Sequence, residues 1–460
     1  MNRPKCRRKG MRIGLIFLIV SSTVLVVSIQ AEEEYHVILT LQAPEPTFFG
    51  GYGLETALFE DGIVIGEWTG DVGDISSAGR AYIYNKDWDL TSILQAPNPK
   101  ETENFGRDVD VTDDIIVVGC GSANIGDIEE AGKVYVFDID GTLLTILQSP
   151  DPKAKGDFGN EVSIYNDGIL VAEIGGMEHG FIHPGCVYVF THEGVFIRNV
   201  TSPAMKPMGC FGQSLIANEE FIVVGEPGDI GSNHPVDNPS LYVFDYDWNL
   251  VTTLQPPDLQ ERTYFGFSTS MNDDYIVIGE RWATVDGHEK AGRAHIYTTS
   301  WNHVATLQSP TPEDNGEFGL DVVIGGDIVV AGERRGDVEG MNEGKAYVFD
   351  LEGWLISTLI SPEPFPNNQF GYSVETDGEI IVVCEADVDA GGKSKAGKVH
   401  VFGLGTPTVE DPVETTAETT ETTSEPDEKE SSGIPGFPIE SVVASVTIAL
   451  IALWVMKNKR

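Results

Sequence analysis

The sequence predicts an all-β fold: a seven-bladed β-propeller of four-stranded antiparallel blades. Three observations lead there. An aromatic-glycine pair recurs at Tyr52-Gly53, Phe105-Gly106, Phe158-Gly159, Phe211-Gly212, Phe265-Gly266, Phe318-Gly319 and Phe370-Gly371, at successive spacings of 53, 53, 53, 54, 53 and 52 residues. Each unit then carries signals for four short strands separated by turns, the pattern of a propeller blade. The last unit lacks its fourth strand, and a matching strand stands at the opposite end of the chain. A β-solenoid coil would be shorter and would not need two tight hairpins per unit.

The elements follow in order. A first strand is expected after each aromatic-glycine pair, as in Gly106 to Val111. A polar pair then turns the chain, for example Asp61-Gly62, Asp113-Asp114, Asp167-Gly168 or Asp377-Gly378, residues that suit a two-residue hairpin. The second strand is β-branched, as in Ile115 to Val118 and Ile276 to Ile278. After a loop of about a dozen residues comes the third, Val134-Tyr135-Val136-Phe137 and its equivalents. The fourth, such as Leu143 to Leu147, runs into a proline-rich corner, Ser149-Pro150-Asp151-Pro152.

Closure is predicted from the ends. The seventh unit stops at Phe402, whereas Val37-Ile38-Leu39-Thr40-Leu41-Gln42-Ala43-Pro44-Glu45-Pro46 matches Leu143 to Pro152 in residue type. The N-terminal strand, within 35–46, should therefore complete blade seven and remove the free sheet edges of an open ring.

Over about residues 35–403 the pattern resembles the FG-GAP-like repeats related to the propeller at the head of integrin α chains. The resemblance rests on the aromatic-glycine pair, the Val117-Val118-Gly119 and Val223-Val224-Gly225 strand ends, and the Tyr-Val-Phe third strand. It implies extracellular binding or adhesion more than catalysis. Some integrin-type repeats hold calcium in a DxDxDG-like loop. No loop here has that spacing, since Asp71-Val72-Gly73-Asp74 and Asp387-Val388-Asp389 match it only in part. Calcium is therefore not carried over.

The ends point to export and anchoring. Residues 1–31 read as a signal peptide: a basic stretch (Arg3, Lys5, Arg7, Arg8, Lys9, Arg12), an apolar run from Ile13 and a small residue, Ala31. An uncleaved signal anchor is the alternative. Residues 404–432, rich in Thr and Glu, cannot form an apolar core and read as a disordered stalk. Residues 433–460 hold Pro435-Gly436-Phe437, an apolar run expected as a transmembrane helix, and the basic end Lys457, Lys459 and Arg460. That order resembles the C-terminal sorting signal of archaeal surface proteins, in which the tail can be cut and replaced by lipid. The expected location is the cell surface, on a single-pass anchor with the ectodomain outside.

The formal net charge is −43. Six of the 29 basic residues lie in the leader and three at the C-terminus, so the remaining 20 face all 72 acids. Such a surface repels nucleic acid and anionic lipid. The cysteines show no CxxC and no zinc spacing. Cys186 and Cys210 fall at neighbouring positions of the blade three to four junction and are a candidate disulfide.

Aligning the units exposes a recurring carboxylate just past the second strand. Glu67, Glu173, Glu226, Glu280, Glu333 and Glu385 occupy it, with Cys120 in blade two. A ring on the loop face results. Arg80, Arg293, Lys345 and Lys398 open the facing third strands and would pair with it across the ladder. Glu173 and Glu226 face Cys186 and Ser240 instead, which makes these two the first candidates for holding a cation or an amine-bearing ligand. Trp88, Trp248, Trp301 and Trp354, in turns on the opposite face, either cap their hairpins or stack on sugars. Arg335-Gly336-Asp337 reads as a chance tripeptide. GxSxG and HExxH are absent, and the nine histidines do not recur at one repeat position. The expectation is a non-enzymatic adhesion or binding module for an extracellular protein or glycan. An extracellular hydrolase or lyase and a structural envelope protein are the alternatives.

Overall fold

The computed structural model describes residues 14–20, 23–29 and 34–405, apart from 167, 176, 179–180, 183, 229–238 and 339. Leu404 and Gly405, expected to open the stalk, belong instead to the last propeller strand. The rest of the expected stalk and the expected transmembrane helix lie outside the described residues, and no described helix is long and apolar enough to cross a membrane. Gly14–Val20 and Thr23–Ile29 pair as a separate two-stranded sheet.

Seven four-stranded antiparallel sheets make up the propeller. Blade one runs Tyr52–Phe59, Gly62–Glu67, Arg80–Asn85 and Leu90–Leu94. The next five repeat this order. In blade seven, Phe370–Thr376, Ile380–Glu385 and Lys398–Gly405 are completed by Glu34–Leu41 from the other end of the chain. Glu34 lies opposite Gly405 and Leu41 opposite Val399 in that ladder. The closing strand is thus the expected one, beginning one residue earlier and stopping before the proline corner.

The period of about 53 residues has a packing cause. The aromatic of each pair is fully buried: Tyr52, Phe105, Phe158, Phe211, Phe265, Phe318 and Phe370. Each fills the gap between two neighbouring sheets. One apolar cluster joins blades one and two around Phe105, the next joins two and three around Phe158, and so on to the cluster of Tyr52 and Val399 that joins seven to one. Glycine is required where these sheets touch. A Cβ on Gly132 would lie 2.1 Å from the carbonyl oxygen of Phe158, and Gly132 has φ 88°, a conformation costly for other residues.

The innermost strands leave one backbone edge facing the axis, where unpaired N–H groups would be costly. Side chains from the preceding blade cover several of them. Asp108 accepts the N–H of Val162 at 2.5 Å, and Asp110 that of Ile164 at 2.7 Å. Ser268 accepts the N–H of Val322 at 3.1 Å, and Asp321 that of Val374 at 2.8 Å. A polar residue three or five places after the aromatic thus ties its blade to the next.

Candidate functional site

The carboxylate ring forms, but inside the blades. Glu67, Glu226, Glu280 and Glu333 are 0% exposed, Glu385 1% and Glu173 2%. They lie beneath the turn that precedes the aromatic, where a Cβ on Gly50 or Gly209 would come within 2.6 Å of Glu67 or Glu226.

The expected cross-ladder pairing holds in two blades and is replaced in the others. Arg80 meets Glu67 at 3.0 Å, and Arg293 meets Glu280 at 2.5 Å. Lys345 and Lys398 stand opposite Glu333 and Glu385 in register but reach outward to the corner acids Glu313 and Glu363, at 3.9 and 3.5 Å. Glu333 is held instead by the hydroxyls of Tyr347 and Ser309, at 2.5 and 3.1 Å. Glu385 is held by His400 and Asn368, each at 2.8 Å.

Glu173 and Glu226 do face Cys186 and Ser240. Each nevertheless has a base, supplied by the preceding corner: Lys153 lies 2.9 Å from Glu173 and Lys206 3.1 Å from Glu226. The two glutamates singled out as unpaired are therefore neutralised, because a lysine five residues before the aromatic reaches the same place as a base opening the third strand. The tyrosine or histidine two residues into that strand is the constant partner: Tyr82, Tyr242, His295, Tyr347 and His400 all hydrogen-bond to the ring. Burial pushes the carboxyls of Glu67 and Glu173 up, and that of Glu333 up to about 7. Burial acts the same way on Glu280, but His295 and Arg293 outweigh it and hold this carboxyl low.

The other expected residues are placed as follows. Cys186 opens the third strand of blade three, and Cys210 immediately precedes Phe211; both are buried. Trp88, Trp248 and Trp301 occupy a left-handed turn position, with φ 64–66°, that is glycine in blades two, three and six. Trp248 packs on Phe244 with ring centroids 5.6 Å apart, and Trp301 on Phe221 at 4.9 Å. These contacts offset the roughly 1–2 kcal/mol strain of that conformation. Trp354 sits one place later and is 75% exposed. Asp71 caps the N–H of Ser77, and Asp389 that of Lys395. Among the described residues no group of three acidic, His or Cys side chains is arranged to hold a metal. The arginine of Arg335-Gly336-Asp337 is engaged by Glu317 at 3.2 Å, and Asp337 accepts the N–H of Asn342.

A concave site lies on the propeller axis. At its mouth is a cavity of about 240 Å3, lined by Leu54, Arg107, Asn160, Gln213, Phe267 and Tyr372 from the positions two after each aromatic, with Trp68 beside them. Glu55, Glu161 and Asp321, three after the aromatic, form its floor. Deeper along the axis lie Asp108, Asp110 and Glu375. Burial, and then the neighbouring carboxylates, push Glu55 and Glu161 well above the carboxylate range and Glu375 up to about 8. Burial raises Asp108 to about 7 and Asp110 to about 6, against the backbone N–H groups that favour the charged form. These channel acids were missed from sequence, although they recur at fixed distances after the aromatic.

Cations gather at the rim. The Arg107 guanidinium lies 5.2 Å from the Trp68 ring centroid, Arg281 4.5 Å from that of Phe267 and Arg334 5.5 Å from that of Tyr372. Arg281, Arg334 and Arg335 converge on Glu317 at 2.6, 2.9 and 3.2 Å. Burial raises the Glu317 carboxyl, but Arg281 and Arg334 outweigh it and hold it low.

The FG-GAP repeat family model matches residues 88–137, 248–297 and 301–349. Each match starts at the tryptophan of one third-to-fourth-strand turn and ends in the third strand of the next blade. This propeller contains FG-GAP repeats. No curated protein matches the chain. An FG-GAP propeller is a scaffold typical of binding and adhesion proteins, and its fold does not name a ligand.

Proposed function

We propose that this FG-GAP propeller is a surface-displayed binding module that engages an extracellular protein or glycan at the mouth of its axis. The observation that carries this reading is the mouth cavity. It combines flat aromatic surface, amides, carboxyl groups and stacked guanidiniums in one concave place, the mixture that binding sites use. The leader 1–31 and the tail 433–460 would display it outside the cell on the 404–432 stalk. The intra-blade carboxylates, buried and partnered, support the fold and are not the contact surface.

The test is a glycan array probed with the full chain in detergent micelles, for wild type and Trp68→Ala with Tyr372→Ala. Saturable binding lost in the double variant supports the proposal, provided its circular dichroism is unchanged. Binding that survives it places the contact elsewhere. One observation favours a second reading, an extracellular hydrolase or lyase: the raised carboxyls of Glu55 and Glu161 at the cavity floor suit proton donation. Release of product from a bound ligand would select it.

A further inference from the structure

We infer that the rim between blades five and six is an anion subsite, in which Arg281, Arg334 and Arg335 hold a carboxylate or sulfate carried by a sugar. The inference rests on the axial-mouth reading and names the chemistry of its ligand.

Charge is the first argument. Three guanidiniums share the single carboxylate of Glu317, a local excess of two positive charges in a chain of net charge −43. The second is unmet donors. Arg281 is 6% exposed, and its Nε–H has no partner in the structure. The Nε–H of Arg334 and the indole N–H of neighbouring Trp282 are likewise buried without one. Buried donors are rarely left unmade, and these three lie within one sector.

The third argument is that the fold does not require these arginines. The position after the ring carboxylate is Ile174 in blade three, Pro227 in blade four and Ala386 in blade seven. Arg281 and Arg334 take it only in the adjoining blades five and six, with Glu317 between them. Phe267 and Tyr372, on which they stack, both line the mouth cavity. A stacked guanidinium keeps its in-plane N–H groups for an oxyanion, the geometry in which arginine binds carboxylate or sulfate best. A cavity of about 240 Å3 admits a single sugar ring, not a folded segment. Trp68 and Tyr372 offer stacking faces, while Asn160 and Gln213 offer amides for hydroxyl groups.

The experiment titrates the full chain with glucuronate, glucose 6-sulfate and glucose at low chloride, read by calorimetry and thermal shift. Arg334→Gln with Arg335→Gln is the variant, since Arg335 is half exposed and the double change leaves buried Arg281 in place. Saturable binding of either acidic sugar is expected, weakened roughly tenfold or more in the variant and competed by inorganic sulfate. The two acidic sugars distinguish carboxylate from sulfate. Glucose binding as tightly as both acidic sugars, with loss on Trp68→Ala, overturns the anion inference and leaves the mouth reading standing. Acidic sugars binding the variant as they bind wild type also overturn it. No binding by any of the three overturns the inference, while the array above judges the mouth reading separately.

Discussion

Cys120 donates its thiol hydrogen to the carbonyl oxygen of Glu103 at 3.2 Å, and the side chain of that glutamate fills the place that the missing ring carboxylate would hold. Glu103 stands two residues before Phe105, where blades one, three, four and six have glycine. Its carboxylate lies 3.9 Å from Lys133, the base opposite Cys120 in the ladder. Blade two has exchanged the two positions and kept the buried pair.

The exchange is reversible by mutation. Glu103→Gly leaves Lys133 without its buried partner and should cost roughly 3 kcal/mol, the low end for breaking such a pair. Adding Cys120→Glu should recover most of that loss. Cys120→Glu alone, which sets two carboxylates against each other, should destabilise. Urea unfolding of the three variants checks the sign of each step.

The corner lysines of blades three and four should matter as much as a core residue. Lys153→Met and Lys206→Met each leave a buried glutamate uncompensated, for an expected loss of about 3–5 kcal/mol. Combining Lys206→Met with Glu226→Gln should return part of it. A loss below about 1 kcal/mol, the value of an exposed pair, would show that these glutamates need no base.

Stability should fall as pH rises. The folded state holds Asp110, Asp108 and Glu375 at about 6, 7 and 8, all above their unfolded values. The folded form therefore binds more protons between about pH 4 and 8, and the stabilisation present below pH 4 is lost progressively through that window. Glu317 and Glu280, held low, act oppositely and only towards acid pH. Melting at low salt should be higher at pH 5 than at pH 8, and Glu375→Gln should flatten the slope.

Deleting residues 34–41 should melt the whole ring and not one blade. Among the described residues, the strand closes the one sheet assembled from both ends. Scanning calorimetry should show a single transition at lower temperature. A variant that melts like the intact chain would refute ring closure by this strand.

The blades were legible because their determinants are local and repeated: an aromatic that must plug two sheets, a glycine where backbones touch, a polar pair at each turn. Closure was legible because Val37 to Pro46 copies Leu143 to Pro152. The fate of the ring carboxylates was not. Whether Glu226 meets a base depends on Lys206, which lies 20 residues away and becomes adjacent only when the corner folds back. Alignment of the units carries the signal, for a base appears at the corner in blades three and four, where the third strand opens without one. The axial acids were hidden for another reason. Asp108 and Asp110 alternate with valines, as they would on any half-exposed strand, and nothing local says that the exposed side faces an enclosed axis.

Glu34 and Gly405 pair across one ladder, so the chain enters and leaves the ring at the same place. The circle thus has no privileged starting blade. A short linker from 405 to 34, with the chain reopened at the Asp113-Asp114 turn, would describe the same closed object from a different origin. What the natural origin decides is timing: six blades can be finished as the chain is made, whereas the seventh must wait for residues separated by nearly the whole length of the domain.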